Sequence, residues 1–374
     1  RNEMRVERET AGFALPFTAG VLLAAYSGIS LSGMDTTNPA AALAVTAICL
    51  FSLIHPSRKT FRTSTLCILT GTAAFSSGML CAFTSSHISV SLSDGDFIIW
   101  AESLGRRMQD AIDRIPFTDK NANAIAKALI TGERSDIPGW ITEAFRNSGA
   151  SHILALSGLH LGIVYAIMNQ ALSLAGNYRK IWIPRSLAII LLCGLYTAAT
   201  GAGPSTARAF LFIFLGETAR LTHRHHSTGQ ILFSALIIQL VLSPSSIRNV
   251  GFQLSYAAMA GIAFILPPLQ SLWPGSIYED RPMIKAARKV WNAAAMSVAC
   301  QLTTAPLAWH YFGTFPKHFL ITNLISLPLT GIIIPAIIIT LCLQTLGICP
   351  AFIISITEQL ITALIRSLEI ISSM

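Results

Sequence analysis

Apolar runs of about 20 residues, the length a helix needs to cross a bilayer, recur from one end of this chain to the other, and most of the polar gaps between them are short. That pattern predicts an all-α polytopic membrane protein of about ten or eleven transmembrane helices with a short helical extramembrane segment. Composition points the same way. Of 374 residues, 52% are hydrophobic and only 12% charged, and a mean hydropathy of +0.58 lies outside the range of soluble domains.

After a charged start, a first span is expected at residues 12–31, a short turn whose only charge is Asp35, and a second span at 40–54. The following stretch, with Arg58, Lys59 and Arg62, is basic and is therefore placed in the cytoplasm. A third span, 64–83, returns the chain to the outer side. Hydrophobicity then falls until residue 151. Phe97, Trp100, Leu104, Met108, Ala111 and Ile115 repeat at helical spacing, as do Ile137, Trp140, Ile141, Ala144 and Phe145. Two or three amphipathic helices on the outer membrane surface would produce this, punctuated by Gly132 and Pro138. Basic and acidic residues balance between Phe97 and Asn147, which argues against a strong electrostatic nucleic-acid platform here. The chain thus divides into an N-terminal membrane segment (1–84), an outer-face helical segment (85–151) and a transmembrane core (152–374).

The fourth span is expected to begin near His152 and to end at the basic turn around Arg179 and Lys180. Spans five (184–199) and six (204–221) are joined by the uncharged Thr200-Gly201-Ala202-Gly203, and Arg220 and Arg224 mark the next inner loop. Spans seven (229–242) and eight (251–266) meet at an outer turn holding Arg248. Arg281, Lys285, Arg288 and Lys289 crowd the loop before span nine (291–309). Residues 319–374 form two spans, or three if Pro328, Pro335 and Pro350 break one. Inner loops are basic and outer ones are not, so the N-terminus is expected in the cytoplasm. The chain opens on Arg1 and shows no cleavable signal peptide, so an upstream piece is expected.

Polar residues entering apolar spans are the candidates for function. In the stretch from Ser148 to Gly162, Ser157 and His160 are i and i+3 on a helix, and His152 lies about two turns from His160. Helix capping and close packing of small residues explain the same pattern without any further role. Arg208 sits four residues into span six behind Gly203 and Pro204, where a guanidinium beside the free N–H groups of a first helical turn suits phosphate. Snorkelling to the outer headgroups is the alternative. Gln253 and Ser255 open span eight, Gln301 precedes Pro306 in span nine, and Asn323 begins the next span. Singly, each serves as interhelical glue; together they would line a polar vestibule. The cluster His223, Arg224, His225 and His226 reads as a solvated basic loop rather than a metal site. The seven cysteines lie in or beside apolar runs without metal-ligand spacing, and no Walker motif couples the chain to ATP. Neither a metal nor a cofactor is expected.

Several of these stretches together resemble the ComEC-type competence channels, which move single-stranded DNA across the bacterial inner membrane. The matching pieces are the run from Phe145 to His160, Gly203-Pro204-Ser205-Thr206-Ala207-Arg208-Ala209, Gly251-Phe252-Gln253-Leu254-Ser255-Tyr256, and Gln301-Leu302-Thr303-Thr304-Ala305-Pro306 with Asn323 and Pro328. Order and spacing match over about residues 125–330, the competence domain of that family. The resemblance implies a sequence-independent channel for single-stranded DNA in the inner membrane, served by DNA-uptake proteins outside and a helicase-like motor inside. It places His152, Ser157, His160, Arg208, Gln253, Ser255, Gln301 and Asn323 along the DNA path. Larger members carry an outward OB-like domain and a metallo-β-lactamase-like nuclease domain; this chain has only the compact segment 85–151 and no His-x-His-x-Asp-His run. Two other classes remain. Ser157 activated by His152 or His160 would make an intramembrane serine hydrolase, and the proline-broken helices would suit a secondary transporter of small solutes.

Overall fold

The computed structural model describes residues 2–26, 63–85, 96–174, 182–222, 227–273, 282–313 and 318–374. In chain order the helices are α1 (Asn2–Tyr26), α2 (Thr63–Ser85), α3 (Asp96–Asp113), α4 (Lys120–Thr131), α5 (Gly139–Asn147), the single turn α6 (Ser151–Leu154), α7 (Gly158–Leu174), α8 (Trp182–Ala199), α9 (Pro204–Leu221), α10 (Thr228–Leu242), α11 (Val250–Ala260), α12 (Leu266–Ser271), α13 (Pro282–Phe312), α14 (Phe319–Thr345) and α15 (Ala351–Ser372). A 3₁₀ turn, Pro244–Arg248, precedes α11, and a π-helical turn, Gly261–Ile265, joins α11 to α12. No strand occurs among the described residues, and the protein is an all-α polytopic membrane protein. Five helical stretches, Glu9–Tyr26, Trp182–Ala199, Val250–Ser271, Phe319–Thr345 and Ala351–Ser372, are long and apolar enough to cross a bilayer, while Thr228–Leu242 is apolar but only 15 residues long. The expected second span, 40–54, and the cluster at 223–226 lie outside the described residues.

The helices pack as two units that each draw on separated parts of the chain: residues 1–91 with 222–264, and residues 92–221 with 265–374. In the first unit α1 and α2 touch backbone to backbone. A Cβ on Gly20 would lie 2.0 Å from the Phe75 carbonyl oxygen, and one on Gly78 would lie 2.1 Å from that of Phe17, so only glycine fits at either position. Ser227 and Gln230 form a reciprocal capping box that starts α10. Asn249 caps α11 by accepting the N–H groups of Gly251 and Phe252.

In the second unit the amphipathic helices expected from the sequence are present as α3, α4 and α5. Ile125 and Leu129 of α4 and Ile141 and Phe145 of α5 share one core with Ile333, Ile334 and Ile337 of α14 and with Ile361, Leu364 and Leu368 of α15, whereas Trp100 of α3 and Trp140 of α5 stay about half exposed. Asp119 caps α4 through the Asn121 N–H at 2.8 Å, and Gly132 ends it in the left-handed region at φ 82°. The Tyr196 hydroxyl of α8 donates to the Ile130 carbonyl at 2.7 Å, satisfying an acceptor in the last turn of α4. Lys127 lies between Asp113, at 2.9 Å, and Asp136. Burial opposes its charge, but hydrogen bonds with both carboxylates outweigh that and hold its pKa above the ordinary value. Its hydrogen bond in turn keeps the Asp136 carboxyl below the usual range.

Helix α3 meets α8 so closely that a Cβ on Gly105 would lie 2.2 Å from the Ala199 carbonyl oxygen. A backbone atom cannot swing aside as a side chain can. Gly105→Ala is therefore expected to destabilise the protein by about 1–3 kcal/mol, read as a lower melting temperature in detergent.

Candidate functional site

The stretch from Ser148 to His160 is shaped by one left-handed glycine and one serine cap. Helix α5 stops because Gly149 takes φ 84°, a conformation that costs other residues about 1–2 kcal/mol. The Gly149 N–H then bonds the Arg146 carbonyl at 3.1 Å and the Ala150 N–H that of Phe145 at 2.7 Å, the paired bonds of a Schellman ending. Ser148 is fully buried; its hydroxyl donates to the Phe145 carbonyl, and its own carbonyl accepts the Thr322 hydroxyl of α14 at 2.7 Å. This ties the start of the stretch to the first turn of α14.

The stretch is not the single helix that its spacing predicts. Helix α6 ends at Leu154 because Ala155 is extended, at φ −74° and ψ 126°, and α7 begins only at Gly158. His152 and His160 thus belong to different helices. His152 lies on the surface of its unit, its Nδ1 3.2 Å from the Gly149 carbonyl oxygen. His160 has no exposed surface.

Ser157 and His160 do meet, in a capping arrangement. The Ser157 Oγ accepts the Leu159 N–H at 3.2 Å, while the His160 Nδ1 accepts the Ser157 N–H at 3.2 Å and lies 3.0 Å from the Ser157 Oγ. His160 makes the return half of a capping box, occupying the position usually held by Glu or Gln, while the serine side chain caps the Leu159 N–H instead of the His160 N–H. Accepting a backbone N–H requires a lone pair on Nδ1, which assigns the proton of the neutral ring to Nε2. The Nε2 atom is buried without a hydrogen-bond partner among the described residues.

Helix α9 closes against this cap. A Cβ on Gly158 would approach the Ala209 Cβ to 3.2 Å, so the neighbours of Ser157 and Arg208 in sequence are also neighbours in space. Arg208 is only 4% exposed: its side chain lies inside the unit, not at a lipid-facing surface. The preceding loop is tight. Gly201 and Ala202 both take positive φ, and the Thr206 hydroxyl donates to the Gly203 carbonyl at 2.9 Å as α9 starts.

On α14, Thr322, Ser326 and Thr330 recur every fourth residue and are all fully buried. The Ser326 hydroxyl returns to the Thr322 carbonyl at 2.6 Å. Asn323 is half-buried beside this ladder. Gln301, on α13, lines a largely apolar groove of about 430 Å³ together with Val298, Leu302, Pro306, Trp309 and Phe319. Gln253 and Ser255 belong to the other unit. There the Gln253 Nε2 donates to the Ile247 carbonyl at 2.8 Å and reaches the Tyr26 hydroxyl at 3.4 Å, joining α11 to α1. Ser255 is half-buried.

Sequence reasoning missed a second buried polar cluster. Glu217 of α9 is 1% exposed; its Oε1 accepts the Tyr165 hydroxyl of α7 at 2.7 Å and Arg220 at 3.1 Å, and its Oε2 accepts the Ser186 hydroxyl of α8 at 2.8 Å. One carboxylate thus joins three helices. An acidic residue inside an apolar run was the available signal.

Buried polar groups are gathered between the apolar helices of this polytopic membrane protein. The chain belongs to the Competence protein family, whose model matches residues 129–374. It is 25% identical over 239 residues to ComE operon protein 3 of Bacillus subtilis, covering 64% of this chain and 27% of that one. It is 24% identical over 240 residues to Competence protein ComA of Neisseria gonorrhoeae, covering 62% and 31%, and 25% identical over 231 residues to the uncharacterised protein YcaI of Escherichia coli, covering 60% and 30%. The chain therefore spans less than a third of the length of each of these relatives. No solved structure matches it.

Proposed function

We propose that this chain forms a membrane channel for single-stranded DNA during natural transformation, with its N-terminus in the cytoplasm of a bacterium and its core in the inner membrane. The observation that carries this is the family match over residues 129–374, which includes both the Ser157–His160 cap and Arg208. A guanidinium held inside apolar helices is costly unless it serves an anion or a buried partner network. Backbone phosphates are such an anion, and they are the same on every sequence, which suits transport without base recognition. In the structure Gly158 and Ala209 bring the N-terminal ends of α7 and α9 together beside Arg208. A strand would reach Arg208 when those ends part. Movement is driven by a separate helicase-like motor at the cytoplasmic face, with DNA-uptake proteins delivering the strand outside.

The hydrolase reading is tested by Ser157→Ala. A channel loses one cap, which costs about 0.5–2 kcal/mol of helix stability, and transformation should persist. A nucleophile lost would abolish activity altogether. Transformation frequency at matched protein level separates the two.

A further inference from the structure

Helix α15 carries a polar stripe along a length suited to crossing a bilayer, and we propose that this stripe lines a water-filled path through the membrane. With successive residues turned by about 100°, the helix has three faces. Ile361, Leu364 and Leu368 point into the core. Phe352, Ile356 and Ile370, at 63%, 50% and 59% exposure, form an open apolar face suited to lipid. Between these two lies a sector roughly 100° wide holding Ser355, Glu358, Gln359, Thr362, Arg366 and Glu369. From the first to the last of these the helix rises about 21 Å, most of a hydrocarbon core of about 30 Å.

Ser355, Glu358, Gln359, Thr362 and Arg366 of the stripe line an open groove of about 610 Å³, to which Thr118 contributes from the loop before α4. The Glu358 carboxylate accepts the N–H groups of Thr118, at 3.2 Å, and Asp119, at 2.7 Å, which fixes the loop before α4 against the helix. Gln359 and Arg366 remain exposed. Lipid tails cannot solvate these groups, and a helix with one apolar and one polar open face sits where lipid and water meet. Two carboxylates and one guanidinium make the stripe a hydrated wall rather than a phosphate-binding one. That the path carries DNA rests on the channel reading above; that it holds water does not.

Single cysteines placed in a background lacking the seven native ones test this in intact membranes without DNA. A membrane-impermeant cationic methanethiosulfonate needs a hydrated thiolate. It should label Gln359→Cys, Thr362→Cys and Arg366→Cys about tenfold or more faster than Phe352→Cys, Ile356→Cys and Ile370→Cys. Gln359→Cys, at an exposed position, keeps the comparison usable should Arg366→Cys fail to accumulate. Equal rates on the two faces would overturn the proposal. So would protection of the stripe together with disulfides between Gln359→Cys copies, which would show a second chain covering it. Either result would leave the DNA-uptake reading standing, since labelling does not depend on transport.

Discussion

Arg208→Ala is expected to leave labelled DNA outside the inner membrane and to reduce transformation by orders of magnitude, with protein still present in the membrane. A hydrogen bond to a charged group contributes about 1.5–3 kcal/mol, so each lost phosphate contact slows a step that depends on it by about 10- to 100-fold. A strand passing nucleotide by nucleotide meets the same site at every step. Because Arg208 is 4% exposed, alanine also opens a hole in the unit. Arg208→Lys separates the two effects. It fills much of the space and keeps the charge but loses the planar fork, so it should recover part of the transport. Full transport in Arg208→Ala at matched protein level would contradict the role given to this residue.

Glu217→Ala should have the largest effect on stability. Its carboxylate is 1% exposed and holds donors from three helices. Removal strands the Tyr165 and Ser186 hydroxyls in a low-dielectric interior, while Arg220, at 47% exposure of its side chain, can turn outward. Breaking a buried charged cluster by deleting one member costs about 3–5 kcal/mol. Glu217→Gln retains the size and two of the polar contacts and should be milder. Melting in detergent should rank wild type above Glu217→Gln and Glu217→Gln above Glu217→Ala. Equal melting of all three would show that the cluster does not hold α7, α8 and α9 together.

What the sequence revealed follows from the range of each interaction. Hydrophobic runs and helical spacing are local, so the positions of α8, α14 and α15 and the amphipathic character of α3 to α5 were legible. The meeting of Ser157 with His160 was legible too, being an i to i+3 pair on a single turn. The break at Ala155 was not, because it rests on one residue's ψ and on a serine cap three residues before a histidine rather than a glutamate. Contacts between distant segments left no local trace. Glu217 finds Tyr165 and Ser186 from positions 52 and 31 residues away, and the docking of Ile125 and Phe145 against Ile333 and Ile361 joins residues even further apart in sequence. Gln253, which the sequence offers as pore lining, likewise has contacts its local pattern does not show, with Ile247 and Tyr26 within its own unit.

The central claim, that this chain conducts single-stranded DNA, is tested most directly by following end-labelled DNA in a transformable cell from which the chain has been deleted. Label should still become bound at the outer side but should not appear as nuclease-protected single strands in the cytoplasm, and restoring the chain should restore them. Undiminished cytoplasmic single strands in the deletion would contradict the account.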